Sequence, residues 1–162
     1  MARILIAKVG TDAHDMGVTV VTRWLGEAGH EVRYLGLYNT PARVAACSEV
    51  VKGPAFTRIT GYDAADVIGL SFLGAEPVYM SGRVLQEMEA RGLDATPLVV
   101  GGVITPEMAE ELRALGIQAV FTPGTARDAI VDGIAAVVTG DRRNAPPGQR
   151  INPGGPAQPS KT

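Results

Sequence analysis

Five short apolar runs, each followed by a stretch with helical spacing, leave this chain few folds to choose from. The runs fall at residues 4–7, 31–37, 66–71, 97–100 and 118–121. Ile4, Leu5, Ile6 and Ala7 show no polar alternation, as expected of a strand buried on both faces of a parallel sheet. Between the runs, apolar residues recur every three or four positions: Val18, Val21, Leu25 and Ala28 over 15–28; Val44, Cys47 and Val51 after Thr40; Val78, Leu85 and Met88 over 77–91; Met108, Leu112 and Leu115 after Pro106; Ile130, Ile134 and Val137 over 125–138. The punctuation agrees, with Gly29 and Gly116 closing helices and Thr40-Pro41 opening one as cap and first residue. Because strand–helix–strand crossovers are right-handed, the pattern predicts a doubly wound, five-stranded parallel sheet with helices on both faces, an α/β fold of flavodoxin-like (Rossmann-like) strand order. Residues 53–64 break the pattern and read as a loop or a helix extension. Beyond Thr139 the chain is rich in Pro and Gly and almost free of apolar residues, so 139–162 is expected to be a disordered tail.

Composition narrows the function classes. At 162 residues with 46% hydrophobic content the chain makes one domain with a full core. A net charge of −2 with no block of Lys or Arg argues against nucleic acid and anionic membranes. An aromatic content of 5% argues against a stacking platform for bases. Cys47 stands alone, which rules out an internal disulfide and fits a reducing compartment. The apolar runs are too short to span a bilayer and Met1-Ala2-Arg3 leads directly into a strand, so a soluble, cytoplasmic protein is expected.

A parallel sheet brings its strand ends to one crevice, where open α/β folds bind ligands. Here that edge collects Asp12, His14, Asp15 and Gly17 after the first run, and Ser71, Phe72, Leu73 and Gly74 after the third. Gly101, Gly102 and Val103 follow the fourth, and Thr122, Pro123, Gly124 and Thr125 the fifth. A phosphoacceptor receiver would need an Asp and a Lys where Ser71 and Thr122 stand. A flavodoxin phosphate loop is contradicted by Asp12 and Asp15, and the dinucleotide fingerprint is absent. What remains is a ligand that uses an imidazole. His14 can be an ordinary surface residue, or a metal ligand oriented by Asp12, which on its own could equally be a turn former. A closed zinc site is disfavoured, since His30 lies at the far end of the first helix.

Asp12-x-His14-x-x-Gly17, with Ser71-x-Leu73 and then Gly101-Gly102, resembles the three-part signature of the cobalamin-binding domain of adenosylcobalamin-dependent mutases and methionine synthase. The stretches 7–17, 100–104 and 121–125 are most similar to the acyl-CoA mutase branch, which includes methylmalonyl-CoA, isobutyryl-CoA and 2-hydroxyisobutyryl-CoA mutases. The resemblance covers residues 3 to about 138 and implies a cobalamin-binding domain over 1–138. It implies cofactor bound base-off, with His14 as the lower axial ligand of cobalt, Asp12 accepting from its other ring nitrogen, and Lys8 holding Asp12. Ser71 and Leu73 would take the displaced benzimidazole, and Gly101, Gly102 and Val103 the nucleotide tail. Thr122, Gly124 and Thr125 would offer donors to that tail, while Asp15, Met16 and Gly17 would open the first helix close to the corrin.

The chain has no room for a (β/α)8 barrel, which needs about 250 residues. The resemblance therefore implies the small subunit of a heteromeric acyl-CoA mutase, an isomerase that docks on a large barrel subunit and works by a radical 1,2-rearrangement. The rival is a corrinoid carrier of a methyltransferase system, or a non-catalytic cobalamin sensor or carrier. Methyl carriers usually bring an N-terminal helical cap, and a sheet that begins at Arg3 favours the mutase.

Overall fold

The computed structural model describes residues 1–48, 65–74 and 76–140. In chain order its elements are β1 (Arg3–Ala7), α1 (Met16–Glu27), β2 (Glu31–Tyr34), α2 (Pro41–Ser48), β3 (Val67–Phe72), α3 (Pro77–Ala90), β4 (Leu98–Gly102), α4 (Pro106–Ala114), β5 (Ala119–Phe121) and α5 (Arg127–Thr139). The strands form one parallel sheet in the order β2-β1-β3-β4-β5, the flavodoxin-like order that the alternation predicts. The expectations for Val51, for residues 53–64 and for 141–162 fall outside the described residues.

Strand pleating splits the core in two. Leu5, Leu70, Phe72 and Val100 face one way and pack with Val44 of α2, Val84 and Met88 of α3 and Leu112 of α4. Ile4, Ile6, Val67, Val99 and Phe121 face the other way, toward Val18 and Leu25 of α1 and Ile130 and Ile134 of α5. Register aligns Ile6 with Gly69, and Ser71 with Gly101. Since alternate residues share a face, Gly69, Ser71 and Gly101 lie with Val67 and Val99 on the side covered by α1 and α5.

Several local details differ from the sequence reading. β2 stops at Tyr34 rather than 37, because the backbone turns through positive φ at Gly36 and Tyr38. On α3 the buried stripe is Pro77, Ser81, Val84 and Met88, with Val78 and Leu85 only partly covered. On α4, Ala109 and Leu112 are buried, whereas Leu115 sits at the helix end and is exposed. β4 runs on through Gly101 and Gly102, which the sequence reading places after the strand. Gly140, in the left-handed conformation, closes α5.

The loop leaving β1 is fixed at its base. Val9 bridges to Asn39, and the buried Asn39 amide donates to the Lys8 carbonyl at 3.0 Å and the Gly36 carbonyl at 2.8 Å. No helix among the described residues is long and apolar enough to cross a membrane.

Candidate cofactor-binding site

Lys8 follows β1 directly and is fully buried, a placement an ammonium tolerates only with partners. Its Nζ lies 2.9 Å from Asp12 Oδ2 and donates to the Ser71 carbonyl at 3.1 Å. The same Oδ2 accepts the backbone N–H of Leu73 at 2.7 Å and of Gly74 at 3.1 Å. Oδ1 accepts the His14 backbone N–H at 3.0 Å and lies 3.0 Å from His14 Nδ1. One carboxylate thus ties the β1–α1 loop to the end of β3.

Burial alone would raise the pKa of Asp12. The Leu73 N–H, the Lys8 ammonium and the His14 and Gly74 N–H groups outweigh it and hold the carboxyl far below the usual carboxylate range. An ionised Asp12 can only accept, so in the neutral ring Nδ1 carries the hydrogen and Nε2 keeps its lone pair. The imidazole is otherwise open, with 70% of its side chain exposed. That is how a metal-binding histidine is oriented by a carboxylate. Among the described residues no group of three or more His, Cys, Asp or Glu side chains is placed to hold a metal ion. A single oriented imidazole suits a metal that arrives with its other ligands already attached.

Beside this loop an apolar groove of about 480 Å³ runs between the sheet and helices α1 and α5. Its floor is where small residues replace large ones: Gly69 and Ser71 on β3, and Gly101 on β4. Ile6, Val99 and Phe121 flank that floor, Val21 and Trp24 line it from α1, and Ile130 and Ile134 from α5. A Cβ on Gly69 would make ordinary contacts with Ile6 and Val99 at 3.6 Å and with the Leu5 carbonyl oxygen at 3.9 Å, so a larger side chain there would extend into the groove. Gly102 differs: at φ +125° its Cβ would fall 1.7 Å from the Phe72 carbonyl oxygen. It lets β3 and β4 close at the rim, where the Val103 N–H donates to the same carbonyl at 2.8 Å.

Of the residues singled out in the sequence, Met16, Gly17, Ser71, Gly101, Gly102, Val103, Thr122, Gly124 and Thr125 line this groove. Asp12, His14 and Asp15 lie in the loop before α1, outside the lining. Leu73 is not part of the lining either; its side chain is half exposed, and its backbone N–H is what reaches the site. Sequence reasoning missed Gly69, Trp24, Phe121 and the Gly74 N–H. Gly69 carried a usable signal, a glycine inside a strand two residues before Ser71 and so on the same face. Trp24 falls one helical turn after Val21, again on a shared face.

A doubly wound parallel sheet, an apolar groove under its first and last helices and an imidazole steered by a buried carboxylate together define a ligand-binding α/β domain. Comparison with known proteins specifies it further. The family profile described as "B12 binding domain" matches residues 2–132, and the chain belongs to that family. It is 37% identical over 136 residues to the 2-hydroxyisobutanoyl-CoA mutase small subunit of Aquincola tertiaricarbonis, covering 84% of this chain and 91% of that one. It is 31% identical over 135 residues to the pivalyl-CoA mutase small subunit of Xanthobacter autotrophicus, covering 83% and 82%. The methylmalonyl-CoA mutase large subunit of Streptomyces virginiae is 36% identical over 123 residues, 76% of this chain but 15% of that protein. Among solved structures, a cobalamin-binding protein from Desulfitobacterium hafniense superposes with a TM-score of 0.60 at 20% identity, over 80% of this chain and 55% of that one. The signal receiver domain of a Mycobacterium tuberculosis response regulator superposes with a TM-score of 0.56 at 16% identity, over 86% and 97%. At such identities these structures speak to the fold alone.

Proposed function

We propose that this chain is the cobalamin-binding small subunit of a heteromeric adenosylcobalamin-dependent acyl-CoA mutase, holding the cofactor base-off with His14 as lower axial ligand. The observation that carries the reading is the exposed His14 ring, held at Nδ1 by a buried carboxylate beside an apolar groove. The kinship with two small subunits of acyl-CoA mutases supports it.

The residues fit the cofactor. A groove floored by Gly69, Ser71 and Gly101 has the apolar depth that a detached benzimidazole needs, with the Ser71 hydroxyl as its polar contact. Asp12 makes Nε2 the more basic nitrogen, and Lys8 with the Leu73 and Gly74 N–H groups keeps Asp12 ionised while it does so. Thr122 and Gly124, ahead of α5, offer a hydroxyl and a backbone N–H to the nucleotide tail, while Thr125 gives its hydroxyl and N–H to the Thr122 carbonyl at 2.6 and 3.2 Å and so shapes that turn. Asp15, Met16, Gly17 and Val103 border the face where the corrin would lie. Adenosylcobalamin, when bound, supplies a carbon-centred radical that starts the 1,2-rearrangement of an acyl-CoA. This chain's part is to fix the axial nitrogen, shelter the tail and offer an exposed apolar rim, including Met16, Leu73 and Val103, to a large barrel subunit in the cytoplasm.

Electron paramagnetic resonance of the cob(II)alamin complex tests the axial ligand. With 15N-histidine in the protein, the wild-type signal is expected to show the doublet of a 15N ligand in place of the triplet that the cofactor's own benzimidazole gives, and His14→Ala to lose that doublet. A 15N doublet that survives the substitution, or none in the wild type, removes the assignment.

The groove is tested separately by Gly69→Val. The added side chain extends into the groove, and overpacking of this kind costs about 1–3 kcal/mol, or roughly ten- to hundredfold in affinity. Cobalamin is expected to bind that much more weakly, while cobinamide, which lacks the nucleotide, binds as it does to wild type. Equal weakening of both would mean that the substitution acts outside the tail site.

A further inference from the structure

Tyr34 ends β2 opposite Ile6 and packs its ring into the core beneath α1. Its hydroxyl oxygen is buried, and no described residue forms a hydrogen bond with it. Buried polar groups nearly always have a partner, so an orphan calls for a reason. Burial first, and then the charges of Asp15 and Asp12, push the phenol above its ordinary range, so it stays protonated and available as a donor.

Those two carboxylates are not equally free. Both oxygens of Asp12 are taken, by Lys8, by the Leu73 and Gly74 N–H groups, and by His14 through its backbone and ring. Asp15 is exposed and occupies the N-cap of α1, yet its side chain makes no capping hydrogen bond. A buried donor without an acceptor and a carboxylate without a donor therefore sit at the same end of α1, next to the loop that bears His14.

We propose that Tyr34 is a positioning residue for His14: when cobalamin seats, the Tyr34 hydroxyl donates to the Asp15 carboxylate. The bond would pin the residue directly after the axial histidine and start α1 in its bound position. This inference rests on the cobalamin reading above. It adds a residue from β2, a strand that contributes nothing to the groove lining.

Tyr34→Phe tests it, because the two states respond in opposite senses. Without cofactor the substitution removes an unsatisfied buried hydroxyl, and the thermal midpoint is expected to stay the same or rise. With cofactor it removes a bond, and cobalamin affinity is expected to fall about tenfold, the equivalent of one hydrogen bond. The fraction of cob(II)alamin showing hyperfine from a 15N-labelled histidine should fall with it. In an Asp15→Ala background, Tyr34→Phe should cause no further loss, since the pair acts as one unit. Unchanged affinity and hyperfine in Tyr34→Phe, or a further loss in the Asp15→Ala background, overturns the proposal. A lower midpoint without cofactor overturns it as well, marking Tyr34 as a packing residue. A wild-type chain that fails to bind cobalamin, or binds it without hyperfine from a 15N-labelled histidine, overturns the cofactor reading and this inference together.

Discussion

Asp12→Asn is expected to destabilise the cofactor-free chain by about 3–5 kcal/mol, the cost of leaving a buried charge without its partner. The asparagine keeps the shape of the side chain, but Lys8 then sits in the interior with no counter-charge. The new amide nitrogen must also face one of the donors that the carboxylate oxygens now accept. Adding Lys8→Met to the same chain should recover much of the loss, because the pair is coupled and its removal takes both charges out of the core. Urea unfolding of the two single variants and the double variant measures the coupling directly. Additive losses would mean that Lys8 and Asp12 contribute independently.

The pH dependence has a definite sign. The carboxyl of Asp12 titrates far lower in the folded chain than in the unfolded one, where about 3.9 is ordinary. Its contribution is therefore complete above the unfolded value and is lost as pH falls toward the folded one. The stability gap between wild type and Asp12→Asn should be widest near neutrality and should narrow below about pH 4. Cobalamin affinity of the variant is expected to drop roughly ten- to hundredfold, as when the carboxylate behind a metal-bound histidine is removed.

Gly102→Ala should be strongly destabilising. Its Cβ would sit 1.7 Å from the Phe72 carbonyl oxygen and 2.6 Å from the carbonyl carbon, and the backbone is at φ +125°. Neither neighbour is a flexible side chain, so β3 and β4 must part at the edge where the site is built. A loss above about 4 kcal/mol, or a chain that does not fold, is expected. Gly101→Ala is the control one residue away: its Cβ would meet Phe121 at 3.6 Å, an ordinary contact. That variant should fold with nearly wild-type stability. Thermal denaturation followed by circular dichroism separates the two, and equal midpoints would refute the assigned roles.

The two glycines also show where sequence reasoning reached its limit. Both were expected to make way for a nucleotide tail. Gly101 does face the groove, whereas Gly102 answers first to a carbonyl on the neighbouring strand. Leu73 was expected to act through its side chain, and it acts on Asp12 through its N–H. On α3 the apolar spacing identified the helix and its buried Met88, but it also pointed to Val78 and Leu85, which are only partly covered, and passed over Ser81 and Val84, which are buried. Each discrepancy concerns a contact between residues distant along the chain.

Periodicity and turn chemistry are local properties, so the order of the strands and helices, the sheet edge that gathers the candidate site and the Asp12-x-His14 pairing two residues apart could be read from the chain alone. Facing and distance are not local. The phase of a strand or helix is set by whatever packs against it, and a hydrogen bond across sixty residues depends on a register that no single segment encodes. For that reason the donors from the end of β3 that keep Asp12 ionised, the groove floor at Gly69 and the stranded hydroxyl of Tyr34 emerged only once the sheet was assembled.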